Sequence, residues 1–249
     1  MDANTLYVLR IADACLIHGQ RLAEWCGHAP VLEEDIALTN VALDHIGQAR
    51  SLLALAGVLE GRGRDEDALA FLRAEREYRN PTALELPNGD FARTVLRGFL
   101  WASFMKVLCT ALAKSTNAQL AAIAAKSLKE VRYHQQHAGD WVVRLGDGTE
   151  ESARRTGEAL ALLWPYTAEW FTDDEIDAQA TATGIGPAWS SLQSAWRAEV
   201  DPVFAEAALT PLADTPFRST GKRGVHSEHM GFLLAEMQSL PRAFPGAVW

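Results

Sequence analysis

Two tetrapeptides hold residue types that could do chemistry: Asp44-His45-Ile46-Gly47 and Glu130-Val131-Arg132-Tyr133. Oxygen chemistry at a pair of irons inside a helical bundle needs a Glu from each of two helices. It also needs Glu-x-x-His from each of two others, all facing inward. The i, i+3 spacing puts acid and imidazole one turn apart on one face. Each tetrapeptide keeps the acid and replaces the imidazole, by Gly47 in one and Tyr133 in the other. A third acid, Asp13, interrupts the apolar stripe Leu6, Leu9, Leu16 on an earlier segment. The remaining stripe, Phe91, Val95, Gly98, Ala102, Met105, Cys109 and Leu112, offers neither carboxylate nor imidazole. Asp13, Asp44 and Glu130 thus stand where six ligands are required. No metal and no cofactor is expected in this chain.

Three carboxylates turned toward one another in a core must be neutralised. Arg50 and His134 are the expected partners. A self-sufficient oxidase with an irregular site would instead recruit His134, one turn beyond Glu130, alongside Asp13 and Asp44. His45 lies about 100° around the helix from Asp44 and fits that cluster poorly. His134 with His137, and His226 with His229, have metal-compatible spacing that more often marks an ordinary helix face. Ser219-Thr220-Gly221-Lys222-Arg223 has a phosphate-loop flavour, but Pro216 occupies the position of its first glycine. Arg218, Lys222 and Arg223 still form a local positive stretch on an acidic chain. It suits an anionic ligand or an acidic partner, against the simpler reading of a solvated loop.

The elements that must position these residues are almost all helical, because no stretch alternates apolar and polar residues over a useful length. Helices are expected at about 5–26, 33–59, 66–78, 90–114, 117–145, 151–171, 187–209 and 224–244. Glu33, Glu34 and Asp35 provide an acidic first turn, Asn117 an N-cap, and Thr172-Asp173-Asp174-Glu175 a capping box. Two hairpins, about 5–60 and 90–146, joined by a long crossover and followed by extra helices over 151–244, describe one all-α domain of ferritin-like, four-helix-bundle type.

Composition narrows the partners. Thirty-two acidic against 23 basic residues give a net charge of -9, which disfavours nucleic acid and anionic membranes. Cys15, Cys26 and Cys109 are odd in number and far apart, as buried free thiols of a reducing compartment would be. A cytoplasmic location is expected, with no signal segment and no membrane span. The eight tryptophans read as core, with some available for a subunit interface.

Four stretches carry a family likeness. Gln20 to Pro30, Leu43-Asp44 with Gly47-Gln48-Ala49-Arg50, Lys129 to His134, and Gly224 to Gly231 resemble the PaaC-type subunits of the bacterial phenylacetyl-CoA epoxidase. The likeness runs the length of the chain. It implies a ferritin-like subunit that pairs with a homologous PaaA-like catalytic subunit, where the di-iron centre resides. Such a complex epoxidises the ring of phenylacetyl-CoA with O₂ and electrons from a separate reductase. The resemblance implies a structural, non-catalytic role here, with contact to the other epoxidase subunits, and the basic stretch Arg218, Lys222 and Arg223 is then the expected contact to acyl-CoA phosphates at the subunit boundary. A generic helical binding protein is the third reading.

Overall fold

The computed structural model describes residues 1–211, 213 and 216–247. It contains helices α1 (Ala3–Ala23), α2 (Leu32–Glu60), α3 (Glu66–Phe71), α4 (Phe91–Leu112), α5 (Ala118–Gly146), α6 (Glu150–Thr167), α7 (Glu175–Thr183), α8 (Gln193–Glu206) and α9 (Glu228–Ala243). No strand occurs among the described residues; Thr220 and Val225 form an isolated bridge. The all-α expectation holds. The chain divides into two compact units: Met1–Pro87 with the segment starting at Ser219, and Asn88–Arg218. Each hairpin belongs to a different unit, and α9 is part of the first unit instead of grouping with α6 to α8.

Local signals explain most boundaries. Asp2, Asp90 and Asn117 cap their helices, the Asn117 side chain accepting from the Leu120 amide at 2.9 Å. Gly61 ends α2 with φ 68°, a left-handed value that glycine adopts without a Cβ penalty. The capping box before α7 is two residues later than expected: Asp174 is the cap and Asp177 the reciprocal partner. The segment expected to be helical to residue 78 stops at Phe71 and continues as a single 3₁₀ turn at Glu75–Glu77. Likewise α8 starts at Gln193 after a 3₁₀ turn, and α9 starts at Glu228 after another.

In the first unit α1 packs along α2, and α9 packs on α3. Within α2 a Cβ at Gly57 would run into the Arg64 carbonyl oxygen, which is backbone and cannot swing away. Gly57→Ala should therefore destabilise by about 1–3 kcal/mol in denaturant unfolding. Gly157 on α6 faces open space. Gly157→Ala should leave stability unchanged or raise it by up to about 1 kcal/mol.

In the second unit α4 is the central helix, packed by α5, α6 and α8. Its composition and length would suit a membrane span, with a mean hydropathy of 1.4, but 72% of that window is buried. The tryptophans mainly form its core, as expected: Trp101, Trp170, Trp189 and Trp196 are closed off, with Phe104 only 4.8 Å from Trp189 between ring centres. Trp196 donates its indole N–H to the Leu100 carbonyl at 3.1 Å. Glu199 on α8 ties α4 and α5 together, accepting from Lys106 at 2.7 Å and Gln135 at 2.9 Å. Burial raises the Glu199 pKa, but those two donors outweigh it and hold the carboxyl below its ordinary value. Cys15 and Cys109 are buried as expected, whereas Cys26 is exposed.

Candidate functional site

Of the ligand positions expected to face inward, Asp13 is buried, whereas Asp44 and Glu130 are only half-buried. On α2 the buried face runs through Leu38, Ala42, His45, Gln48, Ala49 and Leu52, while Asp44 is half-buried and Gly47 exposed. On α5 it runs through Ser127, Val131, His134 and Ala138, with Glu130 half-buried and Tyr133 exposed. Both tetrads are thus read one residue out of register. The core-facing i, i+3 pairs are His45 with Gln48 and Val131 with His134. Neither pair joins an acid to an imidazole.

His45 therefore sits in the core, about 100° around the helix from Asp44. It meets His18 of α1 edge-on at 4.9 Å between ring centres. Beside them the Cys15 thiol donates to the Gln48 side-chain oxygen Oε1 at 3.6 Å. On α4, Ala102 is buried and contributes no donor.

Asp13 is the one expected ligand that is fully buried, and its oxygens are already taken. Arg73 grips it with two guanidinium nitrogens, Nη1 at 3.0 Å from Oδ2 and Nη2 on Oδ1, and the Arg79 amide donates to Oδ2 at 2.9 Å. Neither side chain of the pair reaches solvent. Arg73 also donates to the Leu69 and Glu77 carbonyls and lies over the Tyr78 ring at 4.1 Å. Burial opposes the Arg73 charge, yet Asp13 more than compensates and its pKa is raised. The expected partner Arg50 is elsewhere: it pairs with Glu66 at 3.2 Å, largely in solvent. Among the described residues no group of three or more His, Cys, Asp or Glu side chains could hold a metal ion. The donor set does not fit a di-iron centre, because a carboxylate whose oxygens already bind a guanidinium and an amide has little left for metal.

A second buried cluster went unnoticed in the sequence. Glu85, fully buried, accepts from the Asn80 amide at 2.8 Å, the Ser227 N–H at 2.6 Å and His226 Nδ1 at 2.7 Å. His226 Nε2 lies 3.1 Å from the Tyr78 carbonyl, so both ring nitrogens are engaged. Arg21 of α1 holds the Glu85 carbonyl with two N–H groups at 3.0 and 2.7 Å. Burial pulls the His226 pKa down; the Glu85 hydrogen bond and charge, the Tyr78 carbonyl and the Asp13 charge override it and raise it above the ordinary value. Burial likewise pushes the Tyr78 phenol up to about 12. His226, a possible metal ligand by spacing, is instead held by Glu85 and the Tyr78 carbonyl. The signal for Glu85 was faint: an acid between two leucines in a Pro-bounded, non-helical stretch.

The basic stretch also divides. Lys222 is buried in the 3₁₀ turn at Gly221–Arg223, so the solvated-loop picture does not apply to it. Arg218 and Arg223 are exposed. Arg218 lines a cavity of about 420 Å³ with Trp164, Phe171, Gln193, Trp196 and Arg197.

These positions can be set against known proteins. The sequence profile of the phenylacetic acid catabolic protein family matches residues 1–249. One of the subunits of the 1,2-phenylacetyl-CoA epoxidase of Escherichia coli (strain K12) is 47% identical over 249 residues, covering all of both chains. The chain belongs to the phenylacetic acid catabolic protein family. Its all-α, ferritin-like class follows from that membership and from the helices described above. Within this family fold, the helix faces that could have carried metal ligands present His45, Gln48, Val131 and His134, and the surviving acid Asp13 is bound to Arg73.

Proposed function

We propose that this chain is a non-catalytic structural subunit of a multicomponent di-iron monooxygenase that epoxidises phenylacetyl-CoA in aerobic phenylacetate catabolism. It docks a homologous iron-bearing subunit and supports that subunit's active-site helices. The relative that matches end to end is named as a subunit of such an epoxidase. The observation that carries the non-catalytic part is the Asp13–Arg73 pair, in which a cation occupies the carboxylate that an active copy would give to metal. A guanidinium neutralises the buried acid permanently, so the bundle stays folded with no dependence on iron supply. Arg218 and Arg223 are the exposed cations suited to meet the phosphates of an acyl-CoA at the subunit boundary.

The test is metal content together with turnover. Purified alone, the chain should hold far less than one iron or manganese per molecule. Co-expressed with a homologous iron-bearing subunit, it should co-purify in fixed ratio, and ring epoxidation of phenylacetyl-CoA should require both chains. Stoichiometric metal in the isolated chain, lost on Glu130→Ala, would overturn this reading.

A further inference from the structure

Helix α2 carries an apolar face that no described part of the chain covers. Leu32 is 72% exposed, Ile36 54%, Leu43 60% and Val58 72%. With Gly47 and the half-buried Ala54 they recur at spacings of four and seven, an eleven-residue repeat. That repeat gives about 3.67 residues per turn, close to the natural helix period, so the face runs nearly straight for about 40 Å.

Gly47 is the residue that needs explaining. Mid-helix glycine is unfavourable relative to alanine. Nothing lies within 4 Å of where its Cβ would be, so no contact inside this chain requires it. The pattern becomes sensible when a second α2 is laid antiparallel across the first, with the two-fold axis at the level of His45. Leu32 then lies over Val58 of the second copy, Ile36 over Ala54, and Leu43 over Gly47. Each bulky side chain meets a smaller one. The charges follow: Arg50, whose side chain is 76% exposed and held to Glu66 at its rim, falls opposite Asn40 and one turn from Asp44 of the other copy. The acidic first turn, with Glu33 and Asp35, comes to the end where the other copy's Arg62 leaves the helix.

We infer that two copies of this chain associate through α2 in an antiparallel, two-fold pairing in which Leu43 of each packs over Gly47 of the other. A two-fold contact requires a surface to be complementary to itself, and this face is. The inference is independent of the docking role proposed above, which concerns a different chain.

The experiment is sedimentation of the isolated chain, with variants at positions that are exposed or, for Asp44, half-buried. The wild type should be dimeric, with a Kd in the micromolar range. Leu43→Glu should be monomeric, with a thermal midpoint that no longer rises with protein concentration as the wild type's does. Gly47→Ala should raise that midpoint, since alanine is the better helix former, yet weaken the dimer about ten-fold or more. Arg50→Glu should weaken association, and Asp44→Arg in the same chain should restore part of it. A wild type that is monomeric across this range, or a dimer indifferent to Leu43→Glu, overturns the inference. If the wild type is monomeric but Leu43→Glu abolishes binding to a homologous iron-bearing subunit, the face belongs to that subunit and self-pairing is wrong.

Discussion

Arg73→Ala is expected to destabilise the protein by about 3–5 kcal/mol, because it strands the Asp13 carboxylate in a site closed to water. The loss spreads beyond the pair. Gln238 and Arg242 of α9 donate to the Arg73 carbonyl at 2.9 and 3.0 Å, and Gln238 also donates to the Tyr78 hydroxyl, which itself donates to the Ala70 carbonyl. Arg73 thus lies at the crossing of α1, the irregular stretch after α3, and α9. Replacing both partners with apolar groups of similar size, Asp13→Leu with Arg73→Met, should cost far less than either single change. Urea unfolding of the two singles and the double gives the coupling directly. A double variant as unstable as Arg73→Ala would show that the backbone hydrogen bonds matter and the charge pair does not.

Loss of the Glu85 carboxylate is expected to be comparably severe. Glu85→Ala removes three accepted hydrogen bonds at once and leaves the Asn80, Ser227 and His226 donors without their acceptor. At about 1–3 kcal/mol for each abandoned buried donor, a loss of about 3–9 kcal/mol follows. The pair also has a pH signature. The folded His226 pKa is raised above 6.5, so its stabilisation is complete below that value and is lost as pH rises through the folded pKa. The thermal midpoint should therefore fall as pH rises above about 6.5, and His226→Gln should flatten that part of the profile. An alkaline limb of unchanged slope in His226→Gln would remove the imidazolium from the account.

The hairpins were legible in the sequence because their helices are long and their ends are marked, by Asp90 and Asn117 at two starts and Gly61 at one end. The facing of α2 was not. With Leu32, Ile36, Leu43 and Val58 outside and Leu38, Leu52 and Leu53 inside, α2 is apolar on both sides, and periodicity alone cannot say which face is buried. The eye then follows the familiar acid-x-x-x spacing to Asp44, one residue from the side chain that is actually buried. Asp13 was correctly seen as an acid on a buried face, since its stripe is otherwise leucine. Its partner was missed because Arg73 lies in a segment with no repeat at all, where contact is decided by the path of the chain. Glu85 and His226 are separated by 141 residues, and nothing local to either announces the other.

The first unit is assembled from two segments far apart in the sequence: the acceptor Glu85 emerges with one, and its partners His226 and Ser227 with the other. A ribosome adding about 5–20 residues each second needs about 7–30 s to bridge that gap. For that interval Glu85 waits without its partners while the whole second unit is made. The nascent protein should thus acquire its second unit before its first can close. Emergence of His226 and Ser227 sets the earliest moment at which the first unit can finish folding.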